Sequence, residues 1–412
     1  MGDWLLKNAM IVDGDADRLR GPFTLRIAEG RIQEISEAAL APGSADVIDL
    51  GRRSLLPGLI DAHVHVIAST PDLGANAALP NSLVALRSRA LMRNMLMRGF
   101  TSVRDLGGAD IGLVMALEEG LIEGPRLMIC GKALSQTGGH TDYRGRFDRR
   151  PVEHYADRLG SLGRVCDGVP DMRRAVREEI KAGAEFVKLM ANGGVSSPTD
   201  PIAFFGFARE EILAAVEEAE SAQTYVAGHL YTDDAIRRAV ECGVWSVEHG
   251  NLVSTETARL MAEKDCIVVP TLVTYEALAQ DGPSLGLPPD SIAKIEDVRG
   301  AGLASLEIYR DVGVPMAFGT DLLGGMQMRQ SEEFTIRGRV LRPQDVIASA
   351  TSVAARVFKW QDRIGVIQQG ALADLIVVDG DPLADLSLLT GQGEHLSLIM
   401  KGGKIHKNAL PA

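Results

Sequence analysis

The chain has 412 residues, with 43 Lys+Arg against 55 Asp+Glu for a formal net charge of -12, and it is 46% hydrophobic and 24% charged. These are the fractions of an ordinary folded chain, which excludes a disordered, collagen-like or disulfide-stapled class. An acidic excess without any long basic run also argues against nucleic acid and anionic membranes as partners, and favours a small molecule.

The first elements in chain order are short apolar runs divided by turn residues: Trp4-Leu5-Leu6, Met10-Ile11-Val12 before Asp13-Gly14, Thr24-Leu25-Arg26-Ile27, and Gly30-Arg31-Ile32. Such runs predict hairpins in a small β layer. The stretch from Met1 to Val12 carries Asp3 and Lys7 and lacks the basic, apolar and small-residue succession of a secretory signal. No uncharged apolar stretch approaches about 18 residues, the length a membrane span needs. Cys130, Cys166, Cys242 and Cys266 form no CxxC pair and are too sparse for a secreted scaffold. A reducing, cytoplasmic setting is expected.

From residue 57 to 360 short buried runs alternate with amphipathic segments, as in parallel α/β proteins. Strands are predicted near 59–66, 101–105, 126–131, 186–190, 225–229, 245–249, 267–271 and 316–320. One helix is readable residue by residue. Thr232 stands as its cap, Asp233 and Asp234 follow, Ile236 and Val240 share a face, and Gly243 stops it. Eight strands within roughly 300 residues fit a (β/α)8 TIM barrel, usually about 250 residues plus insertions. A doubly wound open sheet also fits the pattern, but it would normally show a G-x-G-x-x-G turn after its first strand, and none is present. Near the end, Ala373 to Val378 before Asp379-Gly380, and then Ile399 to Ile405, repeat the opening pattern. The expected fold is therefore α/β, a barrel over 57–360 with a small β-sandwich domain built from residues 1–56 and 361–412.

Only eight histidines are present. His63 and His65 are two apart on the first predicted barrel strand, so both imidazoles project to one side while Ala62, Val64 and Val66 pack against helices. Burying two neutral imidazoles without a strong acceptor is costly, which points to a metal rather than to incidental polar packing. His229, His249 and Asp321 each close a later predicted strand. Each alone has an ordinary structural explanation, as a hydrogen bonder or a helix cap. Together they would converge at the carboxyl ends of strands one, five, six and eight, the face where barrels carry their sites. Lys188 shares a strand face with Phe186 and Met190 and so points inward. An uncompensated ammonium there is expensive, and a neutral amine is free to add carbon dioxide as a carbamate. Pairing with a carboxylate, or snorkelling to solvent, is the plainer alternative. Arg104 and Asp105 end the second strand, where an internal ion pair is expected.

Pro57-Gly58-Leu59-Ile60-Asp61-Ala62-His63-Val64-His65, the Lys188 segment ending in Asn192-Gly193-Gly194-Val195, His229, His249 and Gly319-Thr320-Asp321 resemble the amidohydrolase superfamily. The likeness spans nearly the whole chain. It is strongest to the imidazolonepropionase-like group that includes binuclear zinc prolidases and carboxypeptidases. The resemblance implies that His63, His65 and Asp321 hold a more buried metal, that His229 and His249 hold a more exposed one, and that carboxylated Lys188 bridges the two. Imidazolonepropionases lack that lysine and use one metal, so Lys188 argues against their substrate.

Imidazole and carboxylate ligands suit zinc without excluding manganese or cobalt. A hydroxide shared by two ions is a nucleophile at neutral pH, and Asp321 would take its proton and pass it to the departing nitrogen. Residues 132–171 read as a long connection, carrying Gln136-Thr137-Gly138-Gly139-His140-Thr141-Asp142 and four arginines, Arg144, Arg146, Arg149 and Arg150. A solvated lid accounts for the arginines. The resemblance implies that His140 and Tyr231 bind a substrate's terminal carboxylate, and that the chain forms a homo-oligomer. The expected activity is hydrolysis of the last amide bond of a dipeptide or N-acyl amino acid, as in a prolidase. A lactone, a cyclic imide or a mycotoxin amide remains an alternative on the same site, and an inactive structural relative is the non-enzymatic one.

Overall fold

A computed structural model describes residues 2–12, 17–195, 200–281 and 289–411. Both ends of the chain build one mixed sheet from β1 (Trp4–Ile11), β2 (Arg20–Ala28), β3 (Arg31–Ser36), β4 (Asp46–Asp49), β5 (Ser54–Pro57) and the three last strands described below. The turn expected at Asp13-Gly14 lies outside the described residues. On one edge β1 pairs with β2; on the other it meets β4 along Trp4–Lys7 and β5 at Met10 and Ile11. One side of the sheet buries Leu6, Leu25, Ile27 and Leu55 from the first part of the chain with Leu375, Val377 and Leu398 from the last. A second sheet facing this one is not defined among the described residues.

The middle of the chain supplies β6 (Leu59–Val64), β7 (Phe100–Asp105), β8 (Arg126–Ile129), β9 (Ala133–Ser135), β10 (Gly163–Val165), β11 (Val187–Leu189), β12 (Val226–Thr232), β13 (Ser246–Leu252) and β14 (Ile267–Val269). They form two parallel sheets, β6-β7-β8 and β10-β9-β11-β12-β13-β14. Every residue of β6 and β7 is buried, as parallel strands covered on both faces require. β15 (Leu375–Val378), β16 (Leu396–Lys401) and β17 (Lys404–Asn408) then return to the terminal sheet, where β15 pairs antiparallel with β5.

Regular pairing among the described residues does not close these two sheets into one ring. The eighth expected strand, 316–320, contributes a single bridge, Val268 to Met316. It still runs between the sheets: Ala317 N–H donates to Val268 O at 2.8 Å, and Ala62 N–H donates to Phe318 O at 2.7 Å. Its irregularity has a local cause. A Cβ on Gly319 would lie 2.6 Å from Val269 Cγ1 and 2.8 Å from His63 Cβ, and Asp321 turns to φ +52°. At the other junction Glu185 N–H donates to Ile129 O at 2.9 Å, linking β8 to the start of β11.

Two expectations change in detail. Residues 132–171 are not one loop, because β9 pairs with β10 and β11, and a short helical turn spans Val152–Tyr155. A three-residue strand is too short to show periodicity and is set by its neighbours. The helix Asp233–Glu241 forms as read and ends at Gly243, whose φ is +100°. Thr232, however, sits at the cap position without bonding the helix; Asp233 turns instead to accept Ser254 N–H at 2.7 Å. No described helix is long and apolar enough to cross a membrane. All four cysteines are free and buried.

Candidate active site

β6 delivers His63, and His65 just beyond its end, both buried with ring centroids 5.5 Å apart. Asp321, after the eighth segment, places Oδ1 3.4 Å from His63 Nε2 and 3.1 Å from His65 Nε2. β12 and β13 contribute His229 and His249, whose Nδ1 and Nε2 are 2.9 Å apart. The ligand atoms of His63, His249 and Asp321 all lie within 4.8 Å of one another, a trio that crosses the pairing implied by resemblance.

Strand alternation alone would send Glu248 and His249 to opposite faces. Both reach the interior because His249 takes a left-handed backbone, φ +69°, at the point where the strand should continue. Asp321 does the same at φ +52°. Non-glycine residues in this region are uncommon and concentrate at functional sites.

Lys188 on β11 is 1% exposed, and its Nζ has no hydrogen-bond partner among the described residues. Burial pulls its ammonium down to about 8, against the upward pull of Glu248 and Asp321. Buried His229 also has an unpartnered Nε2. Burial, then the neighbouring imidazoles or Asp321, sets the other shifts. His229 and His249 are pushed well below the usual histidine range and are neutral. For Asp321 burial works upward, but His63 and His65 outweigh it and hold the carboxyl well below the usual carboxylate range. Burial works downward on His63 as well, but Asp321 and Glu248 outweigh it and shift that imidazole upward. Neutral His229 and His249, an ionised Asp321 and two orphaned nitrogens make a donor set that fits divalent cations.

A second layer holds these groups and was not legible as such in the sequence. Glu248 Oε2 is 2.9 Å from His63 Nδ1, while its Oε1 accepts from Arg104 at 2.7 Å and from Ser246 at 2.6 Å. The expected pairing of Arg104 with Asp105 is therefore replaced. Adjacent strand residues point to opposite faces, so Arg104 turns inward to Glu248, while Asp105 accepts backbone N–H groups from Val66, Gly107 and Ala109. His249 Nδ1 is 2.8 Å from Thr271 Oγ1. Asp61 accepts Thr320 Oγ1–H at 2.7 Å and Gln330 Nε2–H at 2.8 Å, tying the first strand to the Gly319-Thr320-Asp321 turn. Phe186, on the Lys188 face, stacks on Tyr225 at 5.5 Å with the Arg104 guanidinium 5.1 Å from its ring.

His140 and Tyr231 both reach this centre. The His140 ring stacks on His229 at 4.5 Å, and the Tyr231 ring stacks on His249 at 4.9 Å. Tyr231 accepts a hydrogen bond from Tyr275 at 3.1 Å, and Asn192 Oδ1 accepts its backbone N–H at 2.7 Å. His140, His229, Tyr231 and Tyr275 line one cavity with Lys188, Met190 and Asp321, whose remaining wall includes Leu73, Leu162, Leu278 and Leu323. The loop arginines do not converge there. Arg144 is held by Asp142, Arg150 by Asp148, and Arg146 and Arg149 are exposed.

A parallel α/β protein with imidazoles and a carboxylate gathered at its strand ends is a metal-type hydrolase scaffold. The chain belongs to the amidohydrolase family, whose model matches residues 54–405. Members of this family typically bind divalent metals. An ochratoxinase from Aspergillus niger is 31% identical over 369 residues, covering 86% of this chain and 75% of that protein. A crystal structure of a prolidase complexed with N-methylphosphonate-L-proline superposes with a TM-score of 0.97 at 48% identity, covering 98% of this chain and 100% of the other. A Xaa-Pro dipeptidase with bound methionine in its active site gives a TM-score of 0.89 at 28% identity, over 99% of this chain and 100% of that one.

Proposed function

We propose that the chain is a binuclear metal-dependent amidohydrolase that cleaves the C-terminal amide bond of dipeptides or N-acyl amino acids, with Xaa-Pro dipeptides as the first choice. The observation that carries this reading is the Lys188 amine, buried without a partner in the cavity lined by His63, His65, His229 and Asp321, with His249 beside His229. A neutral Nζ adds carbon dioxide, forming an N–C bond and releasing one proton, and the resulting carbamate offers two anionic oxygens. Divalent ions, most readily zinc, would be held by those five residues and the Lys188 carbamate, and would supply an acidified water and a polarised scissile carbonyl.

The protein's own groups then divide the remaining work. Glu248, 2.9 Å from His63 Nδ1, would hold the Nδ1–H, and the proton on Nε2, which faces Asp321, would give way to a bound cation. Asp321, kept ionised by His63 and His65, accepts the proton lost by the attacking water and returns it to the departing nitrogen. His140 and Tyr231 bind the free carboxylate of the substrate. In this reading the two parallel sheets and the 316–320 segment are arcs of one (β/α)8 barrel over 57–360, and residues 1–56 and 361–412 form the satellite β-sandwich domain. Supporting it are the hydrogen bonds that join the sheets at both junctions.

Zinc-loaded protein assayed on Xaa-Pro and other dipeptides, with metal analysis, tests the proposal. Two ions per chain and hydrolysis that falls sharply on amidating the C-terminus are expected. At most one tightly bound ion, or equal turnover of a dipeptide and its amide, would overturn it. The ochratoxinase likeness favours a second reading, an ochratoxin-type amide, which would win if its kcat/KM exceeded that of every dipeptide.

A further inference from the structure

We propose that Asp200 is a positioning residue for carboxylate recognition: with Gly194, it seats His140 so that the Nε2 edge of the imidazole meets the substrate's terminal carboxylate. This rests on the reading above, in which His140 and Tyr231 bind that group. His140 follows β9 in a segment without regular structure, so nothing in its own backbone ladder fixes the ring. One ring face is covered by His229, with an interplanar angle of 19°.

The Nδ1 edge is built by residues distant in sequence. Asp200 Oδ2 lies 3.7 Å from His140 Nδ1. The same Oδ2 accepts Gly194 N–H at 3.0 Å, and Asp200 is 1% exposed. A Cβ on Gly194 would fall 1.8 Å from His140 Nδ1 and 2.0 Å from Cε1, so the ring rests directly on glycine backbone. A Cβ on Gly193 would meet Pro201 O at 1.9 Å, which shows how closely segments 193–194 and 200–201 abut. The carboxylate is therefore tied to the backbone beside it and presents a fixed negative edge. With Nδ1 turned to that edge, Nε2 is the nitrogen left on the cavity side, where His140 lines the same space as Tyr231 and Asp321. A merely structural Asp200 would need only to accept the Gly194 N–H, which an asparagine also does.

The test compares the full-length zinc-loaded protein with Asp200→Asn on Ala-Pro and on its C-terminal amide. In Asp200→Asn, KM for Ala-Pro rises about tenfold or more while kcat falls less than about threefold, and the preference for Ala-Pro over the amide drops about tenfold. In a His140→Ala background, the same substitution changes KM less than about twofold, because the two residues act as one unit. Gly194→Ala, whose added methyl displaces the ring, gives the same KM rise and serves if Asp200→Asn does not fold. An unmoved KM, a loss confined to kcat, or additive losses with His140→Ala would overturn the proposal while leaving the dipeptidase reading intact. Equal turnover of Ala-Pro and its amide by the unaltered enzyme would overturn both.

Discussion

Replacing Lys188 by methionine separates the cost of this residue from its use. The side chains are similar in length, but methionine carries no charge and no amine. In the metal-free protein, burial lowers the Lys188 ammonium from 10.5 to about 8. A gap of that size amounts to about 3 kcal/mol of destabilisation at pH 7, where both states hold the proton but only the folded chain must keep the charged ammonium buried. The sign follows from the direction of the shift. The penalty is complete below about pH 8 and fades as pH climbs toward 10.5, falling under about 1 kcal/mol near pH 10. Lys188→Met, stripped of metal and kept free of carbon dioxide, is therefore expected to resist urea better than the unaltered protein by up to about 3 kcal/mol at pH 7, with the advantage shrinking as pH rises. The same variant should bind at most one ion and lose at least about a hundredfold in kcat/KM. Urea titrations at pH 7 and pH 10, with metal analysis and Xaa-Pro turnover, measure all three. A variant less stable at pH 7, or an advantage that does not change with pH, would refute the buried-amine argument. Two retained ions with full activity would refute the bridging role.

Glu248→Gln leaves Arg104 buried with a neutral partner and weakens the hold on His63. A loss of about 3–5 kcal/mol in urea unfolding and about 10–100-fold in metal affinity is expected, whereas a metal affinity equal to the original would show that His63 needs no such support. Tyr231→Phe removes the phenol that Tyr275 bonds; KM for Xaa-Pro should rise about tenfold, with little change for the C-terminal amide, in steady-state assays of both substrates. Gly319→Ala puts a methyl against Val269 and His63, which should cost about 1–3 kcal/mol by thermal or urea unfolding and reduce metal content. Chelation should lower Tm, because ions that bind only the folded chain stabilise it by mass action; a melting temperature indifferent to chelator and zinc would contradict the metal reading.

Much of the site was legible because strand chemistry is local. The two-residue spacing predicted that His63 on β6 and His65 just past it share a side, and that Lys188 on β11 shares one with Met190 just past it; all four line the same cavity. The helix Asp233–Glu241 followed from its acids, apolar face and terminal glycine. Where a residue's neighbours are distant in the chain, that logic ends. Glu248, level with His229 across the sheet, faces inward and anchors His63 and Arg104, whereas alternation would send His249 outward; the left-handed backbone at His249 lets both adjacent side chains enter one interior. His140 reaches His229 from an irregular segment, and Asp200 reaches His140 from another. The eighth segment reads as an ordinary strand, yet close approach of Gly319 to Val269 and His63 leaves it joined by separate hydrogen bonds. Amino-acid order by itself determined which groups were candidates for the site and, where the strand stays regular, which face they occupy, since both depend on residue type and on a period of two. Only tertiary structure decided which groups meet, because that depends on chain crossings, left-handed turns and the room left where a side chain is missing.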